Sequence, residues 1–135
     1  RTAQWEKDQR RWKDLMEVAA WARTHTDRDA LFFHPHYDFR FHAERSIVVG
    51  WKDGGLLVHF GADKIREWLD RKRDVKEALD SKDPARVRQA AHKFKCDYVV
   101  LRLGEGPPGL DTPAVFGNET YRVWRLDAAP NLTNS

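Results

Sequence analysis

The sequence predicts an α/β fold built on a small, partly parallel sheet, and three observations predict it. Apolar or β-branched runs at Ala30-Leu31-Phe32-Phe33, Ser46 to Trp51 and Tyr98-Val99-Val100-Leu101 suit strands covered on both faces. The segments before and between them carry apolar residues at helical spacing. A last pair of segments, Ala114 to Phe116 and Thr120 to Leu126, brackets the turn-forming Gly117-Asn118-Glu119 and reads as a β-hairpin.

Each element can be justified in order. From about Trp5 to Arg23 the chain predicts a helix whose apolar line is Trp5, Trp12, Met16 and Ala19, with charged residues mostly off that line. This predicts that Trp12 packs on the sheet. Thr24-His25-Thr26-Asp27 ends the helix with turn-preferring residues. The first two strands follow, Asp53-Gly54-Gly55 punctuates the chain, and Leu56 to Phe60 reads as a short strand or ordered loop. Ile65, Trp68, Leu69, Val75, Ala78 and Leu79 then restore the helical period. Asp83-Pro84 starts a third helix, a capping carboxylate followed by a proline whose missing N–H is no loss in the first turn. Its buried side is Val87, Ala90, Ala91 and Phe94. Helix, strand, strand, two helices, strand and hairpin together imply a three-layer, Rossmann-like sandwich. A single domain over 1–127 and a disordered tail over 128–135 complete the expected layout.

Composition narrows the function classes. The chain has 135 residues, 41% hydrophobic and 33% charged, which is enough apolar material for a core and too much for a disordered chain. Its formal net charge of +3 comes from 24 basic and 21 acidic residues mixed along the chain. A nucleic-acid module more often gathers its basic residues into one patch, so nucleic acid is not the favoured partner. Cys96 is the single cysteine, which excludes an internal disulfide and a cysteine-based zinc site. There is no apolar run long enough to span a bilayer and no signal peptide. The opening Arg1 in place of Met reads as a piece cut from a longer protein.

The most unusual stretch is Phe33-His34-Pro35-His36-Tyr37-Asp38-Phe39-Arg40-Phe41-His42. If extended, its period of two sets His34, His36, Asp38, Arg40 and His42 on one face and aromatics on the other. It follows directly after the first strand, where open α/β sheets place their ligands. Two His and a carboxylate suit zinc, and a hydrolase using His34, His36 and Asp38 on a metal-activated water is one alternative function. Pro35 interrupts the extension and Arg40 sets a cation among the ligands. The preferred reading is therefore a polar connection packed by its aromatic side, with no metal, cofactor or catalytic residue assigned. A second group, Arg40, Arg45 and Lys52, flanks the second strand and could gather around a phosphate or carboxylate. A nucleic-acid module using Arg, Lys and aromatic stacking is the other alternative.

Smaller signals carry less. Gly104-Glu105-Gly106 lacks the spacing of a phosphate loop, and Pro107-Pro108 stand where a helix would have to start. Cys96, at the entry of a strand, reads as a structural thiol. Asn118-Glu119-Thr120 and Asn131-Leu132-Thr133 match the glycosylation sequon. Trp5, Trp12 and Trp21 among Lys7, Arg10, Arg11, Lys13 and Arg23 also suit a membrane–water interface.

Trp21 to Phe32 follows a W-x-x-x-x-T-x-x-x-A-L-F pattern. It resembles the soluble C-terminal region of bacterial multi-spanning membrane proteins of unknown function. Phe39-Arg40, Glu44 to Lys52 and Glu67 to Arg71 fit the same region. Cys96 to Val100 and Tyr121 to Leu126 are similar to the tail domains of membrane glycosyltransferases that use lipid-linked sugars. The resemblance spans about Trp21 to Leu126. It implies an extracytoplasmic, Rossmann-like tail domain facing the periplasm or cell exterior, non-catalytic, whose partner is the membrane-embedded part of its own parent. A polar or anionic substrate is a further implied partner. Arg40, Arg45, Trp51 and Lys52 match the pattern and are the residues expected to make ligand or partner contacts.

Overall fold

A computed structural model of the chain describes residues 2–33, 43, 46–47 and 62–126. The elements in order are α1 (Ala3–His25), β1 (Leu31–Phe33), β2 (Ser46–Ile47), α2 (Ala62–Ser81), α3 (Pro84–Lys93), β3 (Tyr98–Arg102), β4 (Phe116–Gly117) and β5 (Tyr121–Arg125). Among the described residues the strands form one five-stranded sheet in the order β2-β1-β3-β5-β4. The expected α/β class, partly parallel sheet and C-terminal hairpin are all present: β1 runs parallel to β2 and β3, and β5 runs antiparallel to β3 and β4. The expected tail over 128–135 and the segment Leu56 to Phe60 lie outside the described residues.

Helix ends are fixed by local chemistry. The Thr2 hydroxyl accepts from the Trp5 N–H and caps α1, satisfying one of the amides that a helix start leaves without a partner. Asp83 Oδ1 accepts from the Ala85 N–H at 2.9 Å and Pro84 occupies the first turn of α3. The hinge between α2 and α3 is made by Lys82, whose φ of 56° lies in the left-handed region. At the end of α3 the Phe94 and Lys95 N–H groups return to Ala90 and His92 carbonyls, and Lys95 takes the same left-handed conformation.

The period of two in the strands divides the core. Phe32, Val100, Tyr121 and Val123 turn to one face and meet Leu15, Val18, Ala19 and Ala22 of α1. Phe33, Val99, Leu101 and Trp124 turn to the other and meet Val75, Ala78, Val87 and Ala91 of α2 and α3. Burying each large apolar side chain contributes about 1.5–3 kcal/mol, so both helical coverings matter to stability. On the α1 face, Trp21 stacks on Phe116 at 5.4 Å and meets Tyr98 edge-on at 5.9 Å. The α2–α3 pair is joined outside the core by Lys93, which reaches Asp74 at 2.7 Å and lies over the Phe94 ring.

One expectation about α1 is corrected. Its buried line is Leu15, Val18, Ala19 and Ala22, with Asp14 beside them, whereas Trp5 and Trp12 are 45% and 47% exposed. The physical reason is position: residues 3–13 of α1 are exposed or half-buried, so Trp12 lies on the part of the helix before the core begins at Asp14 and Leu15. Glycine is required where the chain leaves β3. Gly104 and Gly106 have φ of 93° and 74°, and a Cβ on Gly106 would sit 3.1 Å from Leu79 Cδ2.

Candidate functional site

Two edges of the sheet gather the polar groups. At the carboxyl edge, β1 and β3 are parallel neighbours. The connection after β1 carries Ala43, which is fully buried in the α1-side core. The connection after β3 packs Leu110 into the opposite core, and its Thr112 carbonyl accepts from the Trp124 indole N–H at 3.0 Å. In open α/β sheets, ligands are commonly held beyond the carboxyl ends of adjacent parallel strands whose connections part.

At this edge, Arg102 at the end of β3 pairs with Glu105, both partly exposed. Burial raises the Tyr121 phenol above its ordinary range; the nearby guanidinium of Arg102 works against this and the Glu105 carboxylate adds to it. The corner is held by a latch between the hairpin and α1. Asn118 Oδ1 accepts from the Thr120 and Tyr121 N–H groups at 3.0 and 2.8 Å, which forms the turn between β4 and β5. Asn118 Nδ2 donates to the Asp14 carbonyl at 3.0 Å and to Glu17 Oε1 at 3.1 Å. The Thr120 hydroxyl donates to the Asp14 carboxylate, the one buried charged side chain among the described residues. Asn118, first residue of one sequon, thus has both amide hydrogens engaged in the fold.

At the opposite, amino edge, a cleft of about 530 Å³ opens where α3 ends, β1 and β3 begin and β5 stops. Ala30, Tyr98 and Leu126 give it an apolar floor, and Asp27, Asp29, His92, Lys95, Asp97 and Arg125 ring it. Asp97 is part of the frame: its carboxylate accepts from the Leu31 N–H at 2.9 Å, its N–H donates to the Leu31 carbonyl, and its carbonyl accepts from Leu126. Cys96 also lines the cleft. Burial, with the Asp97 carboxylate adding, pushes its thiol up to about 12, so it stays protonated and is a poor nucleophile at neutral pH. This agrees with the expected structural thiol.

The sequence-derived candidates Arg40, Arg45, Trp51 and Lys52, and the metal candidates His34, His36 and Asp38 with His42, lie outside the described residues. In the sequence, Arg40 and the histidines belong to the segment leaving the carboxyl end of β1, and Arg45 immediately precedes β2. Among the described residues, no group of three His, Cys, Asp or Glu side chains is placed to hold a metal ion. No helix there is long and apolar enough to cross a membrane. Sequence reasoning missed the Asp14–Asn118 latch and the amino-edge cleft, since both join residues far apart in the chain. The one local signal was the Asn-Glu-Thr turn.

Comparison with known proteins gives one match. Residues 13–75 match the model of a domain of unknown function, DUF6798, a span that begins within α1 and ends within α2. No curated protein and no solved structure matches the chain.

Proposed function

We propose that the chain is a non-catalytic, extracytoplasmic accessory domain of a larger, multi-spanning membrane protein, with a parent resembling the glycosyltransferases that use lipid-linked sugars. On this reading it is a Rossmann-like three-layer sandwich that serves its parent by holding a partner surface or a polar, anionic substrate at the carboxyl edge of its sheet. The observation behind the binding role is that Ala43, after β1, is buried on the α1 side, whereas Leu110, after β3, packs on the α2–α3 side. Parting connections of this kind mark the edge where open α/β sheets commonly hold ligands, which supports the reading. The chain leads from that place to Arg40 and Arg45, and on past β2 to Trp51 and Lys52. Two-pronged arginine donors there suit phosphate or carboxylate groups of a substrate or of the membrane half. The membrane setting is supported by the resemblance of Trp21 to Leu126.

The test is the hydropathy of the complete coding sequence upstream of Arg1. A series of apolar spans of about 20 residues is the expected result. A short parent without spans would overturn the membrane setting and move attention to His34, His36 and Asp38.

A further inference from the structure

The amino-edge cleft holds charges of both signs that do not pair. Asp27 and Asp29 stand on the turn between α1 and β1; His92 lies in the last turn of α3 and Lys95 on the turn after it; Arg125 ends β5. Among the described residues, none of these five side chains makes a hydrogen bond or ion pair with another, although all line the same cavity. Opposite charges sharing a concave wall normally close on one another when they can reach. Here the sheet holds them apart, because β3 lies between β1 and β5. Two strand spacings put the β1 and β5 backbones about 10 Å apart.

From this arrangement we infer that the cleft binds a small zwitterion, an amino acid with a free ammonium and a free carboxylate. Lys95 and Arg125 hold the carboxylate, Asp27 and Asp29 hold the ammonium, and the side chain lies on Ala30, Tyr98 and Leu126. The volume of about 530 Å³ falls within the range of small-molecule sites, about 300–1,000 Å³. A ligand carrying one charge would satisfy one wall and face repulsion from the other, so the cleft selects for both signs together. This site lies at the edge opposite the one used in the proposed function, so neither reading depends on the other.

The test is amide chemical-shift mapping of the intact chain at constant ionic strength. The probes are glycine, L-phenylalanine, N-acetyl-L-phenylalanine, which lacks the ammonium, and L-phenylalaninamide, which lacks the carboxylate. Saturable shifts at Ala30, Lys95, Asp97 and Leu126 are expected with at least one of the two zwitterions. The blocked forms should act at least tenfold more weakly. Lys95→Gln with Arg125→Gln, and separately Asp27→Asn with Asp29→Asn, should abolish the shifts while the remaining spectrum shows an unchanged fold. If neither zwitterion shifts these amides saturably, the site does not exist. Equal binding of the N-acetyl form would show a simple anion site and overturn the proposal, as would persistence of the shifts in both double variants.

Discussion

The Asn118 side chain donates to the main-chain carbonyl of Asp14 across 3.0 Å, tying the tip of the closing hairpin to the middle of α1 over 104 positions of sequence. With its three other hydrogen bonds, this one residue forms the β4–β5 turn and fixes it on the helix.

Asn118→Ala should therefore destabilise the domain by about 2–3 kcal/mol, since each net hydrogen bond contributes about 0.5–1.5 kcal/mol and partners are left unsatisfied. Thr120→Val removes a hydroxyl that donates to a buried carboxylate and should cost about 1.5–3 kcal/mol. Urea unfolding of the variants measures both. Losses below 0.5 kcal/mol, on the order of a neutral surface change, would show that the latch is incidental.

The two-sided core predicts a contrast. Phe33 is fully buried and Trp12 is 47% exposed. Phe33→Ala should cost about 3–5 kcal/mol and Trp12→Ala about 1 kcal/mol or less. Thermal denaturation of the pair checks that Phe33 belongs to the core facing α2 and α3 and that Trp12 is not the packing side of α1. A larger loss from Trp12 would restore the tryptophan line as the packing face.

Cys96 should resist thiol reagents in the native protein at pH 8 and react at once in urea. Its folded-state value of about 12 lies above the ordinary 9.0, so the fold favours the protonated form. That contribution is complete below about pH 9 and is lost as pH rises from there through about 12, because the unfolded chain releases its proton first. Cys96→Ala should reduce the alkaline loss of stability in this window. Rapid native labelling at pH 8 would contradict the buried setting.

Lys82 holds a φ of 56° at the hinge between α2 and α3. A non-glycine residue in this region costs about 1–2 kcal/mol, partly offset in glycine by its greater chain entropy. Lys82→Gly should leave the domain equally stable or more stable by up to about 1 kcal/mol, whereas Lys82→Val should destabilise it. A melting-temperature series over these variants decides the point.

Much of the element order was legible because the signals are local. Asp83-Pro84 marks the start of α3 by capping chemistry alone, and Tyr98 to Leu101 is too continuously apolar for an exposed strand. The face of α1 was not legible. Tryptophans dominate its hydrophobic pattern, while the packing is done by Leu15, Val18, Ala19 and Ala22. The buried Asp14 was equally hidden, since only the distant Thr120 explains its position. The candidate residues that the sequence offered beyond the first strand, Arg40, Arg45, Trp51 and Lys52, lie outside the described residues. The amino-edge cleft was not legible, because it is assembled from two turns and a strand end that only the fold brings together.

The membrane setting of the parent is tested most directly by fractionating cells that make the intact gene product and treating spheroplasts with protease from outside. The account predicts that the product stays with the membrane through high-salt washing and that the segment 1–127 is digested without breaking the cells. Recovery of the product in the soluble fraction, or protection of this segment until the membrane is disrupted, would contradict it.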